Sequence, residues 1–290
     1  MSVTPTSAAR APRRRSALGW LVRRELAASV RTRWFLVDAA AFLLGGLLLA
    51  GFGLQESVVY GYRGFAKAIA GLVHLALLFV PLMALVPAVS SIAEDRENGT
   101  LEFILAQPVT FAQVFTGKWV GVALAVWLAL TVGWGAASAV ALLRGVPLGV
   151  VVGAYAFVGL LAMAFVALGM TLSAWAPSRA RAMTLGLLAW LAFVALGTLG
   201  VLAAFVRWGW PADVLVAWSF ANPVEAFRLA VVTVLDPDVS LLGPVGARIV
   251  AAWGAVGTVV AASASLLAWS AGGYLLGLRL FASAPGRGAL

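Results

Sequence analysis

The sequence contains no cysteine and only one histidine, His74, among its 290 residues. Without a thiol the chain can form no disulfide and no thiolate-ligated metal site, and cysteine usage says nothing about its redox compartment. His74 lies inside a long apolar run, where a lone histidine is more typical of a packed or hydrogen-bonded core residue than of a metal ligand. We therefore predict that the chain holds no metal.

Motifs for nucleotide binding and hydrolysis are also missing. No segment matches G-x-x-x-x-G-K-[ST], since the only Gly-Lys pair, Gly117-Lys118, is followed by Trp119 and lacks the upstream glycine. Neither G-x-S-x-G nor H-E-x-x-H occurs, so hydrolysis within a membrane has no candidate residues. We predict that the chain is not an enzyme, has no catalytic residue and binds no cofactor of its own.

Charged residues are scarce, at 11% of the chain, against about a quarter in a typical soluble protein. Hydrophobic residues reach 63%, and the mean hydropathy is +1.01. Apolar runs of about 20 residues, enough to cross the hydrocarbon core of a membrane, recur along the sequence. The pattern predicts an all-α polytopic membrane protein with six transmembrane helices. The predicted spans are Trp34–Phe52, Ile69–Ala93, Trp119–Leu143, Leu148–Trp175, Met183–Val206 and Ile249–Leu276.

The net charge of +9 is informative about topology. The basic residues cluster beside the spans, which favours a role in orientation and contact with the lipid bilayer over nucleic-acid binding. With the N-terminus inside, fourteen of the twenty Lys and Arg residues lie on the inner side. The positive-inside rule then places both termini in the cytoplasm, as in a multi-pass protein of the inner (cytoplasmic) membrane. Asp38 is the only carboxylate within a predicted span, and it lies near the edge of that span. The sequence therefore offers no candidate for the ionisable residue that an ion-coupled carrier places near the middle of the membrane.

The chain divides into regions by composition and charge. The predicted regions are a disordered tail at residues 1–12, a basic interfacial helix at 13–33, the six-span domain at 34–280 and a C-terminal tail at 281–290. The second of these is basic and helix-compatible, which is typical of a helix lying in the membrane interface. Within the six-span domain we distinguish an inner segment, residues 94–118, and an outer segment, residues 207–248.

The inner segment is predicted to contain a two-turn helix. Gly99 can end the preceding helix in the left-handed conformation, and Thr100 can cap the new one. Leu101, Ile104 and Leu105 share one face of the new helix. So short a helix is unstable alone in water, and we expect its apolar face to be held by other protein.

The short helix is followed by a second helix start. Pro108 ends the first helix, and Thr110 with Gln113 forms a capping box that opens the next one.

Three acidic residues, Glu94, Asp95 and Glu97, lie at the C-terminal end of the second predicted span, where the helix dipole disfavours anions. One interpretation is a solvated cap with Arg96, or with Arg179 and Arg181, nearby. The other is an acidic rim that meets a basic surface on another protein. The sequence leaves both open.

The outer segment is predicted to contain a helix that begins at Asn222-Pro223, with Asn at the cap and Pro in the first turn. Residues 236–238, reading DPD, end it. The helix is too short to cross a membrane and is apolar, so we expect it to enter the outer leaflet or to pack on the spans. Glu225 and Arg228 can pair on one face. A capped surface helix is favoured over a ligand site.

Three stretches of the sequence resemble the ABC-2 type permeases of ATP-binding-cassette transporters. Residues 22–26 and 31–35, reading VRREL and RTRWF, resemble the interfacial elbow helix and its entry into the first span. Residues 94–102, reading EDRENGTLE, together with Gln107-Pro108 and Gly117-Lys118, resemble the coupling segment of the family and are the most specific of the three. Residues 222–228, reading NPVEAFR, resemble the outer segment of the subgroup that serves nitrous oxide reductase maturation.

This resemblance implies an ABC-2 (type V exporter-like) permease fold, with an elbow helix, a cytoplasmic coupling helix and outer-leaflet helices before the last span. It implies a homodimer seated on two copies of a cytosolic ABC ATPase, which holds ATP and Mg. Leu101, Ile104 and Leu105 would anchor the coupling helix in a groove of that ATPase. The implied coupling residues are Glu94, Glu97, Thr100, Leu101, Glu102, Ile104 and Leu105. The implied elbow residues are Arg23, Arg24 and Glu25, and the implied outer partner or gate residues are Asn222, Pro223, Glu225 and Arg228.

For the subgroup, the resemblance implies assembly of the copper centre of nitrous oxide reductase together with a periplasmic accessory protein. Copper pathways prefer thiolate, thioether or imidazole ligands, which this chain largely lacks. We therefore favour a sulfur-containing cargo, or transmission of force to a partner, over passage of copper. The alternatives are an ABC-2 exporter of drug, lipid or polysaccharide and, from another class, an ATP-independent membrane scaffold or carrier.

Overall fold

The computed structural model describes residues 14–48, 62–143, 147–200, 203, 207–209, 211–235 and 242–283, and every regular element within them is a helix. The helices are α1 (Arg14–Val30), α2 (Arg33–Leu48), α3 (Tyr62–Glu97), α4 (Thr100–Leu105), α5 (Phe111–Leu143), α6 (Leu148–Trp175), α7 (Arg179–Trp190), α8 (Ala212–Ala221), α9 (Pro223–Leu235) and α10 (Gly243–Ala282). A ten-residue π-helix, Leu191–Gly200, continues α7.

Some predicted features lie outside the described residues. They are the tail at residues 1–12, the end of the first predicted span at 49–52, most of the end of the fifth at 201–202 and 204–206, the break at 236–238, most of the C-terminal tail, and the side chain of Asp38.

Five described helices are long and apolar enough to cross a membrane, and six are counted if the bent pair α8–α9 is one span. The five are Val73–Glu97, Phe111–Ala139, Leu148–Trp175, Arg179–Gly197 and Val245–Ala282. They correspond to the second to sixth predicted spans. The first differs, because its described part is the shorter apolar helix Phe35–Leu48, which at 1.5 Å per residue covers about 21 Å.

Helix α6 lies at the centre of the bundle and packs against α3, α5, α7, α9 and α10. Small residues let its neighbours approach closely, as in other membrane helix pairs. A Cβ added at Gly169 would lie 2.7 Å from the Cβ of Ala88 on α3, and one at Gly273 of α10 would lie 2.9 Å from the Cβ of Ala167. Substitution of either glycine would therefore force the helices apart.

Helix α1 packs along α5. Gly117 and Gly121 form the contact, since a Cβ at either would lie 2.7 Å and 2.6 Å from the Cβ atoms of Leu21 and Glu25 respectively. The buried stripe of α1 is Leu21, Glu25 and Ser29, one turn apart. One of these three is a carboxylate, and its partner is described below.

Candidate functional site

The short helix α4 joins α3 to α5. Gly99 precedes it with φ 68°, the left-handed conformation that glycine adopts most easily. Thr100 is the first helical residue and makes no side-chain cap, which corrects the predicted capping role. The capping box that opens α5 is confirmed, because the Thr110 N–H donates to Gln113 Oε1 at 2.9 Å and the Gln113 N–H donates to Thr110 Oγ1 at 3.2 Å.

The two faces of α4 have different surroundings. Leu101 and Ile104 are buried in the core of this chain, at 8% and 4% exposure, and Leu105 is partly buried beside them. Glu102 is exposed, and Phe103 is 77% exposed. The expected anchor residues are therefore corrected: Leu101 and Ile104 fix α4 to its own chain, and the large apolar side chain that points outward is Phe103.

A buried charge cluster lies beside α4. The Lys118 ammonium, on a residue only 1% exposed, is 2.8 Å from Glu25 Oε2 and 2.6 Å from Asp95 Oδ2, and it donates to the Ser91 carbonyl at 2.9 Å. Arg24 Nη2 is 3.0 Å from Asp95 Oδ1. Two cations thus face two carboxylates, and all three ammonium hydrogens have acceptors. This compensation is what a buried charge requires.

The charge cluster joins three helices. Arg24 and Glu25 belong to α1, Asp95 to the end of α3, and Lys118 to the start of α5. Arg23, the third predicted elbow residue, is exposed and does not join the cluster. Since α3 and α5 flank α4, the cluster ties both ends of the short helix to α1.

The other acidic residues at the end of α3 contact the start of α7. Glu94 Oε1 is 3.1 Å from Arg179 Nη1, and Glu97 Oε2 accepts from the Arg179 backbone N–H at 2.9 Å. The Arg96 guanidinium donates to backbone carbonyls at the end of α6, including Ala174 at 3.1 Å and Ala176. This geometry fits the interpretation as a cap paired within the chain.

At the other end of the bundle, α8 and α9 meet at a 96° bend. Asn222 stands at the bend, fully buried; its Oδ1 accepts from the Val224 N–H at 2.9 Å, and its Nδ2 donates to the Phe193 carbonyl at 3.0 Å. The predicted cap is confirmed, and the amide also holds the π-helix. Trp218 Nε1 donates to the Gly197 carbonyl of the same π-helix at 2.8 Å.

The backbone carbonyls left free by the bend are satisfied from α10. Ser265 Oγ donates to the Phe220 carbonyl, and Trp269 Nε1 donates to the Ala221 carbonyl at 3.0 Å. Such pairing is required where a helix breaks inside a membrane protein. The bend is therefore a built feature of the fold.

Helix α9 packs on the spans α10, α6 and α3. Packing on the spans was one of the two predicted arrangements, and entry into the outer leaflet was the other. Helix α9 is not a surface helix, because nearly all its residues, from Pro223 to Thr233, are buried. The predicted pair is present, with Arg228 Nη2 at 2.7 Å from Glu225 Oε2. Burial of Glu225 at 5% exposure makes this pair part of the core of the outer end.

We expect Asn222→Ala and Asn222→Asp to destabilise the outer end to a similar degree. Alanine removes the cap, a change worth about 1 kcal/mol, and also removes the hydrogen bond from Asn222 Nδ2 to the Phe193 carbonyl. Aspartate keeps the cap acceptor but places an oxygen against that carbonyl. Thermal unfolding of both variants in detergent checks this prediction. If the unfolding temperature of Asn222→Asp equals that of the wild type, the residue acts only as a cap.

Sequence reasoning missed Lys118, Phe103 and the π-helix. A lone lysine at the start of an apolar span, with carboxylates ending the previous span, was a usable signal for the buried cluster. The direction of Phe103 had no such signal, since it depends on which face of α4 meets the core. His74, expected to be a packed or hydrogen-bonded core residue, has an exposed side chain on α3.

Comparison with known proteins places this geometry in a family. Residues 19–284 match the sequence model of the family described as "ABC-2 family transporter protein". The chain belongs to this family. The match runs from within α1 to the end of α10 and includes α4 and both ends of the bundle described above. As a member of this family, the chain is a membrane permease subunit of an ABC transporter.

Two curated relatives are similar over most of their length. The chain is 33% identical over 217 residues to "Probable ABC transporter permease protein NosY" of Pseudomonas aeruginosa, covering 72% of this chain and 79% of that protein. It is 33% identical over 231 residues to the protein of the same name from Stutzerimonas stutzeri, covering 77% of this chain and 84% of the relative.

Proposed function

We propose that this ABC-2 permease subunit converts ATP hydrolysis by a separate cytosolic ATPase into conformational work across the inner membrane. The observation that carries the proposal is α4, a helix fixed to its own bundle by Leu101 and Ile104 while Phe103 is 77% exposed. A large apolar side chain on a rigid base is typical of an interface anchor. The ATPase, with its ATP and Mg, would contact this face.

The route for the work is the connection of α4 to the rest of the chain. A push on α4 acts directly on α3 and α5, which it joins, and reaches α1 through the buried Lys118 cluster. Helix α3 also contacts α9 at the opposite end of the bundle. Movement of α3 would therefore reach the Asn222 bend, where a periplasmic accessory protein would bind. A second copy of the chain would complete the membrane part as a homodimer.

We further propose that the process served is assembly of the copper centre of nitrous oxide reductase, by export of a sulfur species or by force on a periplasmic partner. Similarity to two NosY permeases supports this. The soft ligands of the chain are limited to five methionines and one histidine, which argues against passage of copper itself.

Co-purification from the native membrane tests the proposal. The tagged full-length chain, extracted in mild detergent, is expected to retain a P-loop ATPase and a second copy of itself, identified by mass spectrometry. Recovery without any ATPase would favour a scaffold. In a strain lacking this gene, nitrous oxide reductase is expected to accumulate with an incomplete copper centre, and normal copper content would refute the maturation role.

A further inference from the structure

A cavity of about 320 Å³ opens between α1, α3 and α7, beside the charge cluster. Its size falls within the usual range for small-molecule sites, about 300–1,000 Å³. The wall changes character along α3: Val86 and Pro87 line one end, and Glu94 and Asp95 line the other. Val86 lies eight residues before Glu94, so the change occurs over about 12 Å. An occupant must therefore be apolar at one end and polar at the other.

The charges of the wall sum to zero. Three cations and three carboxylates line the cavity, and they pair with one another; they are Arg24, Lys118, Arg179, Glu25, Glu94 and Asp95. The most exposed pair is Glu94 with Arg179, whose side chains are 43% and 44% exposed and 3.1 Å apart. Each can take one more partner: the carboxylate can accept from an ammonium, and the guanidinium can donate to a phosphate.

We propose that the cavity binds the headgroup and upper chain of a zwitterionic ethanolamine phospholipid of the inner leaflet. The phosphate faces Arg179, the ammonium faces Glu94, and the acyl chains leave past Val86 and Met183. Since the charged end belongs to the ends of spans α3 and α7, it lies at headgroup depth. Net neutrality favours this lipid over an anionic one. The site goes beyond the proposed function and is measured on the chain without its ATPase.

Lipid titration of the purified, delipidated full-length chain tests the site. We expect phosphatidylethanolamine to raise the unfolding temperature saturably, at a concentration at least about tenfold lower than phosphatidylglycerol, corresponding to about 1.4 kcal/mol. Soluble phosphoethanolamine distinguishes a lipid from a free phosphate compound. It lacks the chains that fill the apolar end and is expected to bind at least about tenfold more weakly than the lipid. Equal midpoints for the two lipids, or for lipid and phosphoethanolamine, would overturn the proposal.

A charge variant gives the sharper test. Glu94→Gln leaves the wall with one excess positive charge, so the preference is expected to move from phosphatidylethanolamine towards phosphatidylglycerol. The matched control is Asp213→Asn, which neutralises an exposed carboxylate, 84% accessible, at the other end of the bundle. The control is expected to keep the wild-type preference. An identical preference in Glu94→Gln and wild type would refute the headgroup assignment.

A second pair of variants tests occupancy of the apolar end. Met183→Trp places a larger side chain in the cavity and is expected to abolish saturable lipid binding. Leu187→Trp, one turn further along α7 on a side chain that is 51% exposed, is the control and keeps binding. If Met183→Trp disrupts the homodimer but leaves lipid binding unchanged, the cavity is covered by a second copy and the proposal is wrong.

Discussion

Lys118→Met is expected to lower the midpoint of thermal unfolding by about 10 °C. The substitution keeps the volume of the side chain but leaves Glu25 buried without its cation and removes one of the two cations at Asp95. Breaking a buried ion pair on one side costs about 3–5 kcal/mol, because the remaining charge stays desolvated. At about 2–4 °C per kcal/mol, the shift is large enough for a fluorescence melt in detergent.

Two further variants isolate the cause of the Lys118 effect. Lys118→Met combined with Glu25→Gln is expected to regain part of the loss, since the stranded carboxylate is removed together with its partner. Arg248→Met breaks an exposed pair, Arg248–Asp213, with side chains 60% and 84% accessible, and such pairs are worth at most about 1 kcal/mol. If the unfolding midpoint of Lys118→Met is as high as that of Arg248→Met, the explanation by a buried charge cluster is wrong.

Phe103→Asp is expected to abolish retention of the ATPase without unfolding the permease. Because Phe103 is 77% exposed, a charge there meets water in the free chain and meets a partner surface only in the complex. Loss of an anchor of this kind weakens an interface by at least about 2 kcal/mol, or roughly thirtyfold. Pull-down with quantified ATPase, together with a melt of the permease alone, measures both effects.

Two further variants of α4 serve as controls for Phe103→Asp. Phe103→Leu keeps an apolar anchor and is expected to retain most of the ATPase. Leu101→Asp, on the opposite face of α4, puts a carboxylate into the core and is expected to lower the yield of folded protein. If Phe103→Asp still retains the ATPase at the wild-type level, α4 is not the contact, and the proposed route through α3 and α5 loses its starting point.

In the proposed function the two residues act at different points of one connection. Phe103 would decide whether a force from the ATPase reaches α4, and Lys118 would decide whether α1, α3 and α5 respond as a unit. A variant that weakens the charge cluster without unfolding the chain would therefore still bind the ATPase but would no longer transmit the conformational change to the membrane helices. Lys118→Met combined with Glu25→Gln is the natural candidate, and its ATPase retention and transport phenotype can be compared with those of Phe103→Asp.

Several local features were predictable from the sequence because they depend on neighbours a few residues away. The left-handed Gly99, the capping box of Thr110 with Gln113, the Asn222 cap and the Glu225–Arg228 pair are all short-range, and all are present. Span Leu148–Trp175 has the predicted ends because a proline and a polar turn flank a continuous apolar run. Hydrophobic length and helix punctuation determine these features without reference to the rest of the fold.

The features that decide the site are of another kind. Amphipathic spacing put Leu101, Ile104 and Leu105 on one face, but only packing shows that this face meets the chain's own core and leaves Phe103 outside. The pairing of Glu25, Asp95 and Lys118 joins residues 23 to 93 positions apart, which no local pattern encodes. The sequence alone therefore determined a helical membrane protein, the approximate positions of its spans and its short-range caps, whereas the tertiary structure decided which faces are buried and which charges are paired. The reason is physical: local propensities act along the chain, while burial and ion pairing depend on which helices approach one another.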